Sequence, residues 1–80
     1  MNTVIIYTTS TCAYCKMAKD FFREHKIDYK EINVESDPAA AQEMINKSGQ
    51  MGVPVIDVNG EIVVGFDQTK LSQLLGVVEE

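Results

Sequence analysis

Apolar residues recur along this chain with two periods, and each change of period marks a change of element. Val4-Ile5-Ile6-Tyr7 is an unbroken run of β-formers, the pattern of a strand buried on both faces. Thr8–Thr11 then reads as a polar loop. From Ala13 to His25 the period becomes helical. Met17, Ala18, Phe21 and Phe22 fall on one face, and Lys16, Lys19, Arg23 and Lys26 form a stripe on another. Asp28–Asn33 is a second strand with Tyr29 and Ile32 as its packing residues. Asp37-Pro38 starts a second helix, with Asp as cap and Pro in the first turn. That helix runs through Ala39–Lys47 and ends at Gly49.

Val53-Pro54 leads into a third strand, Val55–Val58. Asn59-Gly60 between β-branched runs is the strongest short hairpin signal, and it predicts Glu61–Val64 as the return strand. After Gly65-Phe66-Asp67 a last helix spans Gln68–Leu75. Leu71, Leu74 and Leu75 form its buried side, and Gly76 stops it. The order is β-α-β-α-β-β-α. Its first half requires two parallel strands joined by a right-handed crossover, and the hairpin adds two antiparallel ones. The expected fold class is α/β, a four-stranded mixed sheet flanked by helices. Met44 and Ile45 belong to its core, whereas Met51, in the Ser48–Gly52 loop, is apolar, flanked by Gly, and a candidate for exposure beside a site.

Eighty residues, 45% hydrophobic and 24% charged, make one globular domain, 1–80. The net charge of −5 argues against nonspecific nucleic-acid binding. The charge is uneven: five of the seven cations, Lys16, Lys19, Arg23, Lys26 and Lys30, fall within residues 16–30. Most such stripes are simply a solvated helix face, but this one begins beside a cysteine pair, so Lys16 and Lys19 are candidates for steering a substrate. The chain start lacks a basic region and a long apolar run, and no stretch approaches membrane-spanning length. A cytoplasmic protein without membrane partners is expected.

The two cysteines carry the chemistry. As a staple, Cys12–Cys15 would close too short a loop, contributing about 2 kcal/mol against about 3 for fifteen residues. Between a strand and a helix, a Cys-x-x-Cys reads instead as a redox pair. Cys12 falls at the helix N-terminus, where unpaired N–H groups and the dipole stabilise a thiolate. Lys16 and Lys19 push the same way. Cys15, within the first turn, is more sheltered and faces Cys12. Cys12 is therefore the attacking thiolate and Cys15 the resolving one.

A zinc half-site is the competing reading, but zinc takes four ligands, and two Cys and one His would have to be shared between chains. No metal ligand is therefore assigned. His25 tempts as a base, yet it lies about 15 Å along the helix from Cys15. It reads as a helix-end residue packed beside Phe21.

The whole pattern resembles the glutaredoxin family. The residues that carry the likeness are Tyr7, Cys12-Ala13-Tyr14-Cys15-Lys16-Met17-Ala18-Lys19, Ser48-Gly49-Gln50-Met51-Gly52-Val53-Pro54 and Val64-Gly65-Phe66-Asp67. The resemblance implies a thioredoxin-like fold and a cis Pro54 opposite the cysteines. It implies that the Val53 backbone pairs with an extended peptide or with glutathione, and that Tyr14, Gln50, Gly65, Phe66, Asp67 and Gln68 surround it. Three features depart from the common pattern. Ala13 stands where Pro is usual, Thr9 where Lys is frequent, and Gly65-Phe66-Asp67-Gln68 where Gly-Gly and a polar pair are usual. Gly65-Phe66 is more like the redoxins that serve ribonucleotide reductase and draw electrons from a flavin reductase.

The resemblance thus implies a monomeric dithiol oxidoreductase without a tightly bound cofactor. Its substrates are disulfide-containing proteins or glutathione-mixed disulfides, and glutathione or a flavin disulfide reductase supplies its electrons. The alternative it leaves open is an iron–sulfur or metal carrier using Cys12 across a dimer.

Overall fold

The computed structural model describes residues 3–77. Residues 1–2 and 78–80, which the one-domain reading includes, lie outside the described residues. The order is β1 (Val4–Thr8), α1 (Ala13–Glu24), β2 (Lys30–Asn33), α2 (Pro38–Ser48), β3 (Val55–Val58), β4 (Glu61–Val64) and α3 (Gln68–Leu75). One sheet has the strand order β2-β1-β3-β4, with β1/β2 parallel and the other two pairs antiparallel. The predicted α/β class and mixed four-stranded sheet are both present.

Strand pleating divides the core in two. Val4 and Ile6 of β1, Ile56 and Val58 of β3 and Val63 of β4 point to one face. There they pack with Ala18, Phe21 and Phe22 of α1 and Leu71 and Leu75 of α3. Tyr7 and Val55 point to the other face and meet Met44 of α2. The Phe22 ring lies 5.3 Å from that of Tyr29 in a tilted contact, and Tyr29 packs as expected although it precedes the strand.

Local chemistry sets the element ends. Asp37 caps α2 by accepting the Ala40 N–H at 3.1 Å, and Gly49 closes it with φ 76°, a left-handed conformation that costs a glycine little. Asn59 and Gly60 both have positive φ, 54° and 94°, which matches the right-handed twist of the hairpin they join.

Three expectations are corrected. Thr8 is not in the loop: it pairs with Asn33 as the last residue of β1 and is fully buried, its hydroxyl donating to Glu31 at 2.8 Å. Met17 is 48% exposed rather than core, because the buried stripe of α1 is Cys15, Ala18, Phe21 and Phe22. Counting Cys15 as apolar turns that stripe away from Met17. In α3, Ser72 is buried beside Leu71 and Leu75 while Leu74 is only partly covered.

Candidate functional site

Strand register decides what surrounds the cysteines. Tyr7 is opposite Val55, Thr8 is opposite Asn33, and Val55 is opposite Val64. Hence the loop after β1, the segment before β3 and the turn after β4 all emerge at one end of the sheet. Backbone bonds tie them: the Val34 N–H donates to the Thr8 carbonyl at 2.9 Å, and the Gly65 N–H to the Pro54 carbonyl at 2.8 Å. Cys12, Val53-Pro54 and Gly65–Gln68 are thereby gathered at that end, as a crevice at strand ends requires.

Cys12 is the N-cap residue of α1, with extended backbone at φ −86° and ψ 108°. Its sulfur accepts the Cys15 N–H at 3.1 Å. One of the unpaired donors of the helix start is thus aimed at the sulfur itself. Cys12 and Cys15 form a disulfide, with Cα atoms 5.2 Å apart. Cys15 is 1% exposed, whereas Cys12 is only partly covered. The two sulfurs therefore differ in access in the order expected of an attacking and a resolving cysteine. Among the described residues no group of three or more His, Cys, Asp or Glu side chains could hold a metal ion.

The other sequence-selected residues divide between the two sides of Cys12. On the β3/β4 side, the Val53–Pro54 peptide is cis, Val53 is half-buried and Pro54 buried. Gln50 is exposed in the loop that reaches them. Gly65 has φ 79°, and a Cβ there would meet nothing within 4 Å, so its conformation and not crowding calls for glycine. Phe66 lies against Phe21 with ring centroids 5.9 Å apart and joins the core on the α1/α3 face. Asp67 is engaged as the cap of α3, accepting the Lys70 N–H at 3.1 Å, and Gln68 opens that helix. Tyr14 and Met17, three apart on α1, are 63% and 48% exposed, and Met51 is 79% exposed.

On the β2 side, a groove of about 460 Å³ runs from Cys12 along α1. Lys16, Lys19 and Arg23 line it, and none of the β3/β4-side residues does. Lys19 bridges to Glu31 of β2 at 3.0 Å. That hydrogen bond, followed by the one from Thr8, holds the Glu31 carboxyl below its ordinary range. His25 caps the far end of α1, its ring 4.5 Å from that of Phe21, as predicted.

Sequence reasoning missed Glu31 and Asn33 as groove residues. Each alternates with its strand neighbours like any edge position, and only the β1/β2 register sets them beside α1. It also missed a polar cluster on the α2 face. There Lys47 donates to the Tyr7 hydroxyl and to Asp57, each at 3.0 Å, and pairs with Glu43 at 3.2 Å. The Tyr7 hydroxyl in turn donates to Glu43 at 3.2 Å.

The chain is similar to known proteins over most of its length. The family model for glutaredoxin matches residues 4–63. The chain is 40% identical over 70 residues to an uncharacterised glutaredoxin-like 8.6 kDa protein in the rubredoxin operon of Clostridium pasteurianum, covering 88% of this chain and 93% of that protein. It is 32% identical to the glutaredoxin-like protein NrdH of Lactococcus lactis subsp. cremoris, over 89% of this chain and 97% of the relative. Among solved structures, glutaredoxin grx-1 of Archaeoglobus fulgidus superimposes with a TM-score of 0.83 at 28% identity, covering 94% of this chain and 87% of that one.

Proposed function

This chain belongs to the glutaredoxin family and is a thiol–disulfide oxidoreductase, and we propose that it reduces protein disulfides or glutathione-mixed disulfides through Cys12 and Cys15. The observation that carries this reading is the Cys12 sulfur accepting a first-turn N–H of α1 while Cys15 is shut away behind it.

The reduced protein starts the cycle. The Cys12 thiolate attacks one sulfur of the substrate disulfide. A Cys12–substrate bond forms, the substrate S–S bond breaks, and the departing thiolate takes a proton. Cys15, deprotonated, then attacks the Cys12 sulfur. The Cys12–Cys15 bond forms and the second substrate thiolate leaves and is protonated. Two electrons and two protons pass to the substrate, and the protein is left as the disulfide. Two equivalents of glutathione, or a flavin disulfide reductase, restore the dithiol. No tightly bound cofactor takes part. The Val53 backbone pairs with the substrate chain beside the disulfide, with Gly65–Gln68 and Gln50 at its margin. The cytoplasm, kept reducing, is the compartment that suits a protein working from its dithiol state.

The test is trapping. Cys12→Ser is expected to abolish reduction, and Cys15→Ser to accumulate a mixed disulfide on Cys12, located by mass spectrometry. An adduct on Cys15 of the wild type would reverse the roles. Paired assays, one with glutathione and its reductase and one with a thioredoxin-type flavin reductase, identify the electron donor from the arm that turns over.

A further inference from the structure

Cys12 follows the strand that lies between β2 and β3, so a substrate disulfide held there has molecular surface on both sides. The β3/β4 side carries Val53 and the turn at Gly65. The β2 side carries the groove, whose α1 wall is formed by Lys16, Lys19 and Arg23 and whose opposite wall includes Glu31 and Asn33. We propose that this groove takes an acidic, extended segment of the protein substrate, adjacent in sequence to the disulfide that Cys12 attacks. The inference rests on the disulfide-reductase reading and adds the class of substrate.

Three observations support it. The first is charge contrast. The chain carries a net charge of −5, yet five of its seven cations lie within residues 16–30. Three of them line one groove that also contains the nucleophile. In a protein of net acidic charge such a patch is where an anionic partner approaches, and the acidic surface elsewhere turns it away.

The second is length. Lys16 and Arg23 are separated by about 10 Å along the helix axis, the span of roughly three extended residues. A free carboxylate or a small anionic thiol reaches one of these cations. A peptide strand reaches all of them. Lys16 lies about 6 Å along the axis from Cys12. The favoured carboxylates therefore lie roughly two to five residues from the substrate cysteine.

The third is the way the cations are held. Lys16 is exposed and makes no ion pair within the described residues. Among the described residues Arg23 forms an ion pair only with Asp20, one turn back on its own helix, both side chains being more than half exposed. Such a pair is worth little and exchanges readily for an incoming carboxylate. Lys19 alone is held against the wall, by Glu31 at 3.0 Å. Glu31 thus limits the groove's positive charge, and removing it should strengthen binding of an acidic segment.

The experiment compares two peptides with the same disulfide. One carries Asp at the third and fourth positions from the cysteine, the other Asn. The ratio of their kcat/KM values is measured for the wild type, Arg23→Gln and Glu31→Gln. A ratio cancels any change in the reactivity of Cys12 itself. At about 20 mM salt the wild type should prefer the acidic peptide by about tenfold. Arg23→Gln should lower the ratio and Glu31→Gln should raise it. At about 500 mM salt the three proteins should converge toward equal rates on both peptides. Moving the Asp pair to eight residues from the cysteine should also remove the preference. Equal rates for both peptides in the wild type, or a ratio unmoved by either substitution, overturn the docking groove and leave the reductase standing. If neither peptide is reduced, the reductase reading falls and the groove with it.

Discussion

A sulfur at the N-cap of α1 experiences a field that the same sulfur in a loop would not. Cys12 receives the Cys15 N–H at 3.1 Å, and the remaining first-turn amides point the same way. The reduced Cys12 is therefore expected to ionise below the ordinary thiol value of about 8.5. Its alkylation rate against pH should show a midpoint under that value, and a midpoint at or above it contradicts the mechanism. Ser72 shows the opposite relation of a side chain to its surroundings. It is 6% exposed and its hydroxyl finds no hydrogen-bond partner among the described residues. Ser72→Ala removes an unmet polar group and adds helix propensity, so it should raise the urea midpoint, by about 1 kcal/mol in stability. A fall in the midpoint would reveal a partner for the hydroxyl. The capping position of Cys12 was legible in the sequence because a strand followed by a Cys-x-x-Cys and a helix sets the cap by local geometry. The Ser72 effect was not, since the leucines of α3 are compatible with more than one rotation of the helix on the sheet.

At the scale of elements, α2 is attached to the sheet by its last turn as well as by Met44. Lys47 reaches Tyr7 of β1 and Asp57 of β3, and its ammonium also lies 5.4 Å from the centre of the Tyr7 ring. The bond to the Tyr7 hydroxyl leads, with those to Asp57 and Glu43 adding to it, and together they hold the Lys47 ammonium above its ordinary range against the opposing effect of burial. Asp57 is only 14% exposed, so Lys47→Met leaves a mostly covered carboxylate without its cation. The expected cost is about 2 kcal/mol in chemical denaturation. Adding Asp57→Asn to that variant should recover part of the loss, whereas additive losses would mean that the two side chains are not coupled. Because α2 runs directly into the Ser48–Val53 segment, this attachment also sets where Gln50 and Val53 stand relative to Cys12. The helix itself was evident from Asp37-Pro38 and Gly49. Its anchorage was not, because Lys47, Tyr7 and Asp57 are far apart in sequence and meet only across three elements.

For the whole molecule, pH links the groove to stability. Glu31 is held below its ordinary value of 4.5 by Lys19 and Thr8. A lowered carboxyl contributes stability that is present above 4.5 and is lost as pH falls through its folded value. Wild type should therefore exceed Glu31→Gln in urea midpoint at neutral pH, by under about 1 kcal/mol because the pair is partly exposed. The difference should shrink as the solution is acidified toward about pH 3. A gap that stays constant across that range would show that the pairing is not the cause. Lys47 acts at the other end of the scale: its stabilisation is present below 10.5 and is lost as pH rises through its raised folded value. The order of elements, their caps, the hairpin and the placing of Cys12 and Cys15 at a helix start were all determined by the sequence alone, because each depends on residues within a few positions of one another. Strand register was decided only by the tertiary structure. It made Thr8 the buried end of β1, turned Phe66 onto Phe21, and set Glu31 and Asn33 across from the α1 cations. Register follows from how two faces of a sheet fill with side chains from distant segments, and no short stretch of sequence contains that information.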